Sequence, residues 1–130
     1  MINAKDYYIE VVEMPGFSRD ADRLLSEDER QEMTSCLACH PFAGDAVDGV
    51  ACVWVFRWPP GNRVQKRSFR VVYFFRDLNT PVYLLALYEK GERLSITRQD
   101  KEDMVKLAKE IVESYGLKWT EQDVPNVGAA

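Results

Sequence analysis

A chain of 130 residues that is 46% hydrophobic and 29% charged reads as one soluble globular domain, which excludes wholesale disorder. No apolar run approaches the ~18–20 residues of a membrane span, and Asp6 and Glu10 stand where a signal peptide would be apolar. The expectation is a cytoplasmic protein with reduced thiols, its three cysteines being an odd count unsuited to a disulfide framework. The formal net charge of −4 is uneven: residues 1–50 carry 4 basic and 11 acidic side chains, residues 51–100 carry 9 and 4, and residues 101–130 carry 4 and 6. An acidic chain with a basic middle third keeps nucleic acid among its partner classes.

Tyr7 to Val12 is β-branched and aromatic and stops at Met14-Pro15-Gly16, the pattern of a first strand. Ser18 is placed to cap a short helix through Leu25. Ser26-x-x-Glu29 is a capping box opening a second helix, each side chain satisfying a free backbone N–H of the first turn. That helix carries Met33, Cys36, Leu37 and His40 at helical spacing as its apolar face, and stops at Pro41 and Gly44. Three strands follow in close succession. Val50 to Trp58 is stopped by Pro59-Pro60-Gly61-Asn62, Ser68 to Phe75 is closed by Asp77 to Pro81, and Val82 to Tyr88 ends at Lys90-Gly91. Connections this short predict an antiparallel meander. Ser95 or Thr97 caps a last helix in which Met104, Val105, Leu107, Ala108, Ile111 and Val112 repeat at helical spacing, with Gly116 as its stop. The order β-α-α-β-β-β-α predicts an α+β layer, a small antiparallel sheet with helices on one face. It forms a single domain over residues 1–119, followed by a polar, frayed tail over residues 120–130.

Cys36-Leu-Ala-Cys39-His40 matches the C-x-x-C-H pattern of covalent haem attachment, which requires export, so no haem is expected. Cys36, Cys39, His40 and Cys52 have spacing that permits a zinc site, but the motif falls on a helix and lacks a second paired half. Packing of Cys36 in the core, with Cys39 and His40 near the helix end, is the expectation, and no cofactor is called for. His40 is the only histidine, which excludes Ser–His and His–His mechanisms.

Arg57, Arg63, Lys66, Arg67, Arg70, Lys90 and Arg93 fall near strand ends or in the loop joining the first two strands of the meander, with aromatic residues interleaved. Alternation puts Arg70 on one strand face with Val72 and Phe74, and Phe69, Val71 and Tyr73 on the other. A charge inside so apolar a strand is costly unless its face opens to solvent or to a polar partner. The residues by themselves leave open a solvated sheet face and a binding surface alike.

Asp45 to Trp58, DAVDGVACVWVFRW, resembles the segment of HigB-like toxins of the RelE/ParE superfamily that usually reads G-D-x-I-x-G-T-G-G-L-R-K-I-R-W. Gly44, Asp45, Val47, Gly49, Arg57 and Trp58 fall on that pattern without a gap. Phe69 to Phe74 is similar to the family's G-x-R-V-I-Y-Y strand, and Tyr83 to Glu92 to its L-L-x-x-Y-x-K-x-E strand. The helices opening near Leu24 and Leu94 are in register as well, so the resemblance covers roughly residues 17 to 115.

The resemblance implies a bacterial type II toxin, a small α+β protein that enters the ribosomal A site, cuts mRNA and is held inactive by an antitoxin protein. The reaction is attack of the ribose 2′-OH on the neighbouring phosphate with departure of the 5′-oxygen, which needs proton transfer and cations rather than a metal. Carried over by position, Arg70 would bind the scissile phosphate and Arg57 would be a further cation at the sheet edge. Tyr88 and Lys90 would serve in stacking, phosphate contact or proton transfer. Arg63, Lys66 and Arg67 would contact the RNA backbone or serve in proton transfer, and Arg93 would contact the RNA. The chain departs from the family where the usual Arg and Lys are replaced by Trp54 and Val55, and where the next loop begins Pro59-Pro60. Those departures motivate a second reading, a toxin-fold protein that acts by binding protein without cutting RNA.

Overall fold

The computed structural model of the protein describes residues 8–59, 68–91 and 96–114. The elements run β1 (Val11–Glu13), α1 (Pro15–Leu24), α2 (Glu27–Cys39), β2 (Asp45–Ala46), β3 (Val53–Trp58), β4 (Phe69–Phe74), β5 (Val82–Glu89) and α3 (Arg98–Ser114). Among the described residues no helix is long and apolar enough to cross a membrane. Gly116 and the tail over residues 120–130 lie outside the described residues.

Strands β3, β4 and β5 form the expected antiparallel meander at the centre of a five-stranded sheet ordered β1-β5-β4-β3-β2. The sheet is mixed rather than antiparallel: β1 pairs parallel with β5, Val11 opposite Val82 and Glu13 opposite Leu84. Strand composition carries no direction, and the long excursion through α1 and α2 allows β1 to lie either way. The two-residue β2, antiparallel to β3, has too few residues to show a period in the sequence.

Helices cover both faces of the sheet, not one. Phe17, Ala21, Leu24, Met33 and Leu37 from α1 and α2 pack on Phe56, Trp58, Phe69, Val71, Tyr73, Val82, Leu84 and Leu87. Met104, Ala108, Ile111 and Val112 of α3 pack on Val53, Val72, Phe74 and Leu85 from the opposite side. The reason is visible in β4, where Phe69, Val71, Val72, Tyr73 and Phe74 are all buried and Arg70 alone is exposed. A strand apolar on both faces needs a cover on each.

Strand β5 carries a bulge. Val72 pairs with Ala86 and Tyr73 with Leu84, leaving Leu85 as the extra residue. Tyr83, Leu85, Ala86 and Tyr88 therefore all belong to the α3 side. Strict alternation would separate Tyr83 from Tyr88.

The helix starts follow local chemistry. Ser26 and Glu29 close the expected capping box of α2. Thr97, one of the two expected residues, caps α3: Thr97 Oγ1 accepts from the Asp100 N–H and Asp100 accepts from the Thr97 N–H. Ser95 lies outside the described residues. Helix α1 begins earlier than Ser18 predicts, because Pro15 supplies a first-turn residue whose missing N–H costs nothing. Ser18 instead donates to Glu13 at 2.8 Å, and Arg30 of α2 donates to the same carboxylate at 2.9 Å. The Arg30 hydrogen bonds hold the Glu13 carboxyl below the usual carboxylate range and tie β1, α1 and α2 together. On α2, Met33 and Leu37 are buried and Cys36 half-buried as expected, but His40 is exposed, since α2 ends there and the chain turns away.

Candidate functional site

Arg57 on β3 stands opposite Arg70 on β4, and Arg70 stands opposite Tyr88 on β5. All three lie on the α3 side of the sheet, beyond the part that α3 covers; both arginines are exposed and Tyr88 is half-buried. Opposed residues on antiparallel strands lie ~4.5–5.5 Å apart at Cα, so the row is continuous. The exposed Lys90 follows Tyr88, and its N–H donates to the Ser68 carbonyl at 2.8 Å. Arg57, Ser68, Phe69, Arg70 and Lys90 line a notch of about 80 Å³. No described carboxylate forms an ion pair with Arg57, Arg70 or Lys90. Three cations sharing one notch without an acidic partner favour an anion there.

The next row on the same face is Asp45–Val55–Val72–Ala86, displaced by two residues along each strand, ~7 Å. Between this row and α3 opens a cavity of about 380 Å³, lined by Asp45, Val47, Asp48, Val55, Val72, Ile96 and Lys101, with Arg70 and Tyr88 shared with the cationic row. The entry to β2, which carries Asp45, is anchored from the opposite, α1/α2 side of the sheet. Tyr73, fully buried, donates from its hydroxyl to the Pro41 carbonyl at 2.8 Å and accepts from the Gly44 N–H at 2.9 Å. A Cβ at Gly44 would stand 2.7 Å from that hydroxyl and 2.9 Å from the Val55 carbonyl, so glycine is required where β2 begins. Burial pushes the Tyr73 phenol up to about 12. Gly49 at φ +82° then turns the chain from β2 towards β3.

The four residues expected to carry the chemistry, Arg57, Arg70, Tyr88 and Lys90, are thus brought together. Arg63, Lys66, Arg67 and Arg93, expected to contact RNA, lie outside the described residues. The two departures from the family pattern separate. Trp54 turns to the α1/α2 side, where its indole N–H donates to the Phe75 carbonyl at 3.0 Å, whereas Val55 is in the cavity lining. Cys36 packs on the α1/α2 side of the sheet and Cys52 on the α3 side, so the four-ligand zinc set with Cys39 and His40 is not assembled. Burial pushes the Cys36 thiol up, away from thiolate reactivity. Sequence reasoning missed Asp45, Asp48, Ile96 and Lys101 as site residues. They come from β2, the turn after it and the start of α3, which meet only through the sheet.

No protein-family model matches the chain. What its described residues assemble is an exposed cationic row beside a mixed-charge cavity, on one face of a five-stranded mixed sheet.

Proposed function

We propose that the protein is the toxin of a type II toxin–antitoxin pair, a ribosome-dependent mRNA endonuclease whose phosphate-handling surface is the row Arg57–Arg70–Tyr88 with Lys90. The observation that carries this reading is the row itself. Four residues assigned to RNA chemistry by resemblance, and distant in sequence, meet at one end of the sheet, and the three cations among them, Arg57, Arg70 and Lys90, are exposed with no acidic partner among the described residues.

In this mechanism Arg57 and Arg70 hold the scissile phosphate and stabilise the charge that grows on its oxygens as the 2′-OH attacks and gives up its proton to solvent water. The Tyr88 ring stacks on a neighbouring base, and Lys90 gives its proton to the departing 5′-oxygen. The antitoxin neutralises the protein by covering the basic edge with acidic or apolar segments. Val55 favours the second reading, a toxin-fold protein without cutting activity, because it puts an apolar side chain beside the row where the resembled family carries a cation.

The test is induced expression of this chain alone in a bacterial host, with primer extension on a reporter mRNA. Growth arrest with mRNA cuts that disappear in Arg70→Ala is the expected result. Arrest with intact mRNA would transfer the assignment to the protein-binding reading, and healthy growth with soluble protein would overturn the toxin assignment altogether.

A further inference from the structure

The cavity beside the cationic row has a chemistry of its own. Its floor is Val55 and Val72, with Val47 and Ile96 adding apolar wall, while Asp45, Asp48 and Lys101 bring two carboxylates and an ammonium to its edges. Carboxylates repel RNA phosphates, so their presence next to a phosphate-binding row points to a neutral group that offers N–H donors. A small-molecule site of a few hundred Å³, apolar on its faces and polar at a few fixed points, suits a flat heterocycle.

Resting on the RNA reading above, we propose that this cavity is a guanine subsite, receiving the base of the nucleotide whose phosphate lies on Arg57 and Arg70. Guanine carries two adjacent donors, N1–H and the N2 amine, which pair side by side with one carboxylate, and an O6 acceptor for an ammonium. Adenine and cytosine place an acceptor beside their single amine, and uracil flanks its one N–H with two carbonyls; each would set an acceptor against Asp45 or Asp48. The aliphatic floor takes the ring face, and Tyr88 and Arg70, common to both sites, join base and phosphate recognition. Asp45 and Asp48 are exposed at the rim, so their role here is recognition rather than support of the fold.

The experiment is fluorescence anisotropy with non-cleavable 2′-O-methyl uridine hexamers carrying a single G, A, C or inosine, at fixed salt. The G hexamer is expected to bind about 10-fold tighter than the A and C hexamers, with inosine, which lacks the N2 amine, losing most of that gain. Asp45→Asn with Asp48→Asn is expected to abolish the preference while tightening the binding of every hexamer alike, since two carboxylates that repel the backbone are lost, and that retained binding reports an intact fold. Arg70→Ala is expected to weaken every hexamer alike. Equal affinity for all hexamers, still dependent on Arg70, would overturn the guanine subsite and leave the phosphate row standing. A G preference that survives the double Asn variant would overturn it as well. Failure of every hexamer to bind would overturn the subsite as a site of the free protein, while the ribosome-dependent RNA reading stands or falls by the expression test above.

Discussion

Arg57 and Arg70 face each other across the β3–β4 ladder, both exposed, with no described carboxylate paired to either. Like charges in direct cross-strand opposition cost stability, and no carboxylate among the described residues pairs with either to offset it. On the RNA reading proposed above, binding of a phosphate at this open end would relieve a repulsion already present in the free protein.

Replacing one member should therefore stabilise the free protein while weakening its function. Arg57→Thr is expected to raise the unfolding free energy by about 0.2–1 kcal/mol. Urea titration at low ionic strength would measure it, and the gain should shrink as salt screens the pair. RNA affinity should fall at the same time, and the slope of log K against log salt should drop by ~0.7 for the lost contact. A variant less stable than the parent at low salt would contradict the repulsive pairing.

The two departures from the resembled family should behave oppositely when reversed. Val55 faces the cavity beside the row, so Val55→Lys adds a cation near the phosphate and is expected to raise mRNA cleavage by about 10-fold or more. Trp54 lies on the far side of the sheet and hydrogen-bonds the Phe75 carbonyl. Trp54→Arg puts a charge against the α1/α2-side packing, with an expected loss of about 3 kcal/mol and no gain in cleavage. Cleavage assays on both variants, with a thermal melt of each, decide the matter. A gain from Trp54→Arg without one from Val55→Lys would reverse the assignment of faces.

Tyr73, which anchors the entry to β2, should report its burial through pH. Its phenol is raised from an ordinary 10.0 to about 12 in the folded chain, chiefly by burial. Between those values the unfolded chain has lost a proton that the folded chain keeps, so stability is full below pH 10 and falls as pH rises towards 12. Tyr73→Phe should flatten that part of the alkaline decline. The same variant removes the hydrogen bonds to Pro41 and Gly44, with an expected cost of about 1–3 kcal/mol at neutral pH. Denaturation of both proteins across the alkaline range, followed by phenolate absorbance, is the measurement. Identical alkaline slopes would refute the buried phenol as their source.

Much of the architecture was legible because it is locally encoded. The capping box at Ser26 and Glu29, the aromatic and β-branched runs of β3 to β5 and the helical spacing of α3 each lie within a few consecutive residues. The clustering of basic residues in the middle third was equally readable, and so was the side of β4 on which Arg70 stands. Tertiary structure decided the rest. The parallel direction of β1 depends on how the chain returns through α1 and α2, and the second helical layer depends on where α3 finds apolar surface. Tyr88 faces the α3 side together with Tyr83 only because β5 inserts Leu85 as a bulge, which a strand period of two cannot reveal. The cavity joins Asp45 and Asp48, on the approach to β3, to Ile96 and Lys101 at the start of α3. Local sequence sets the period and the caps of each element. The contacts that build a cavity link residues far apart along the chain, and are fixed only when the sheet closes its register.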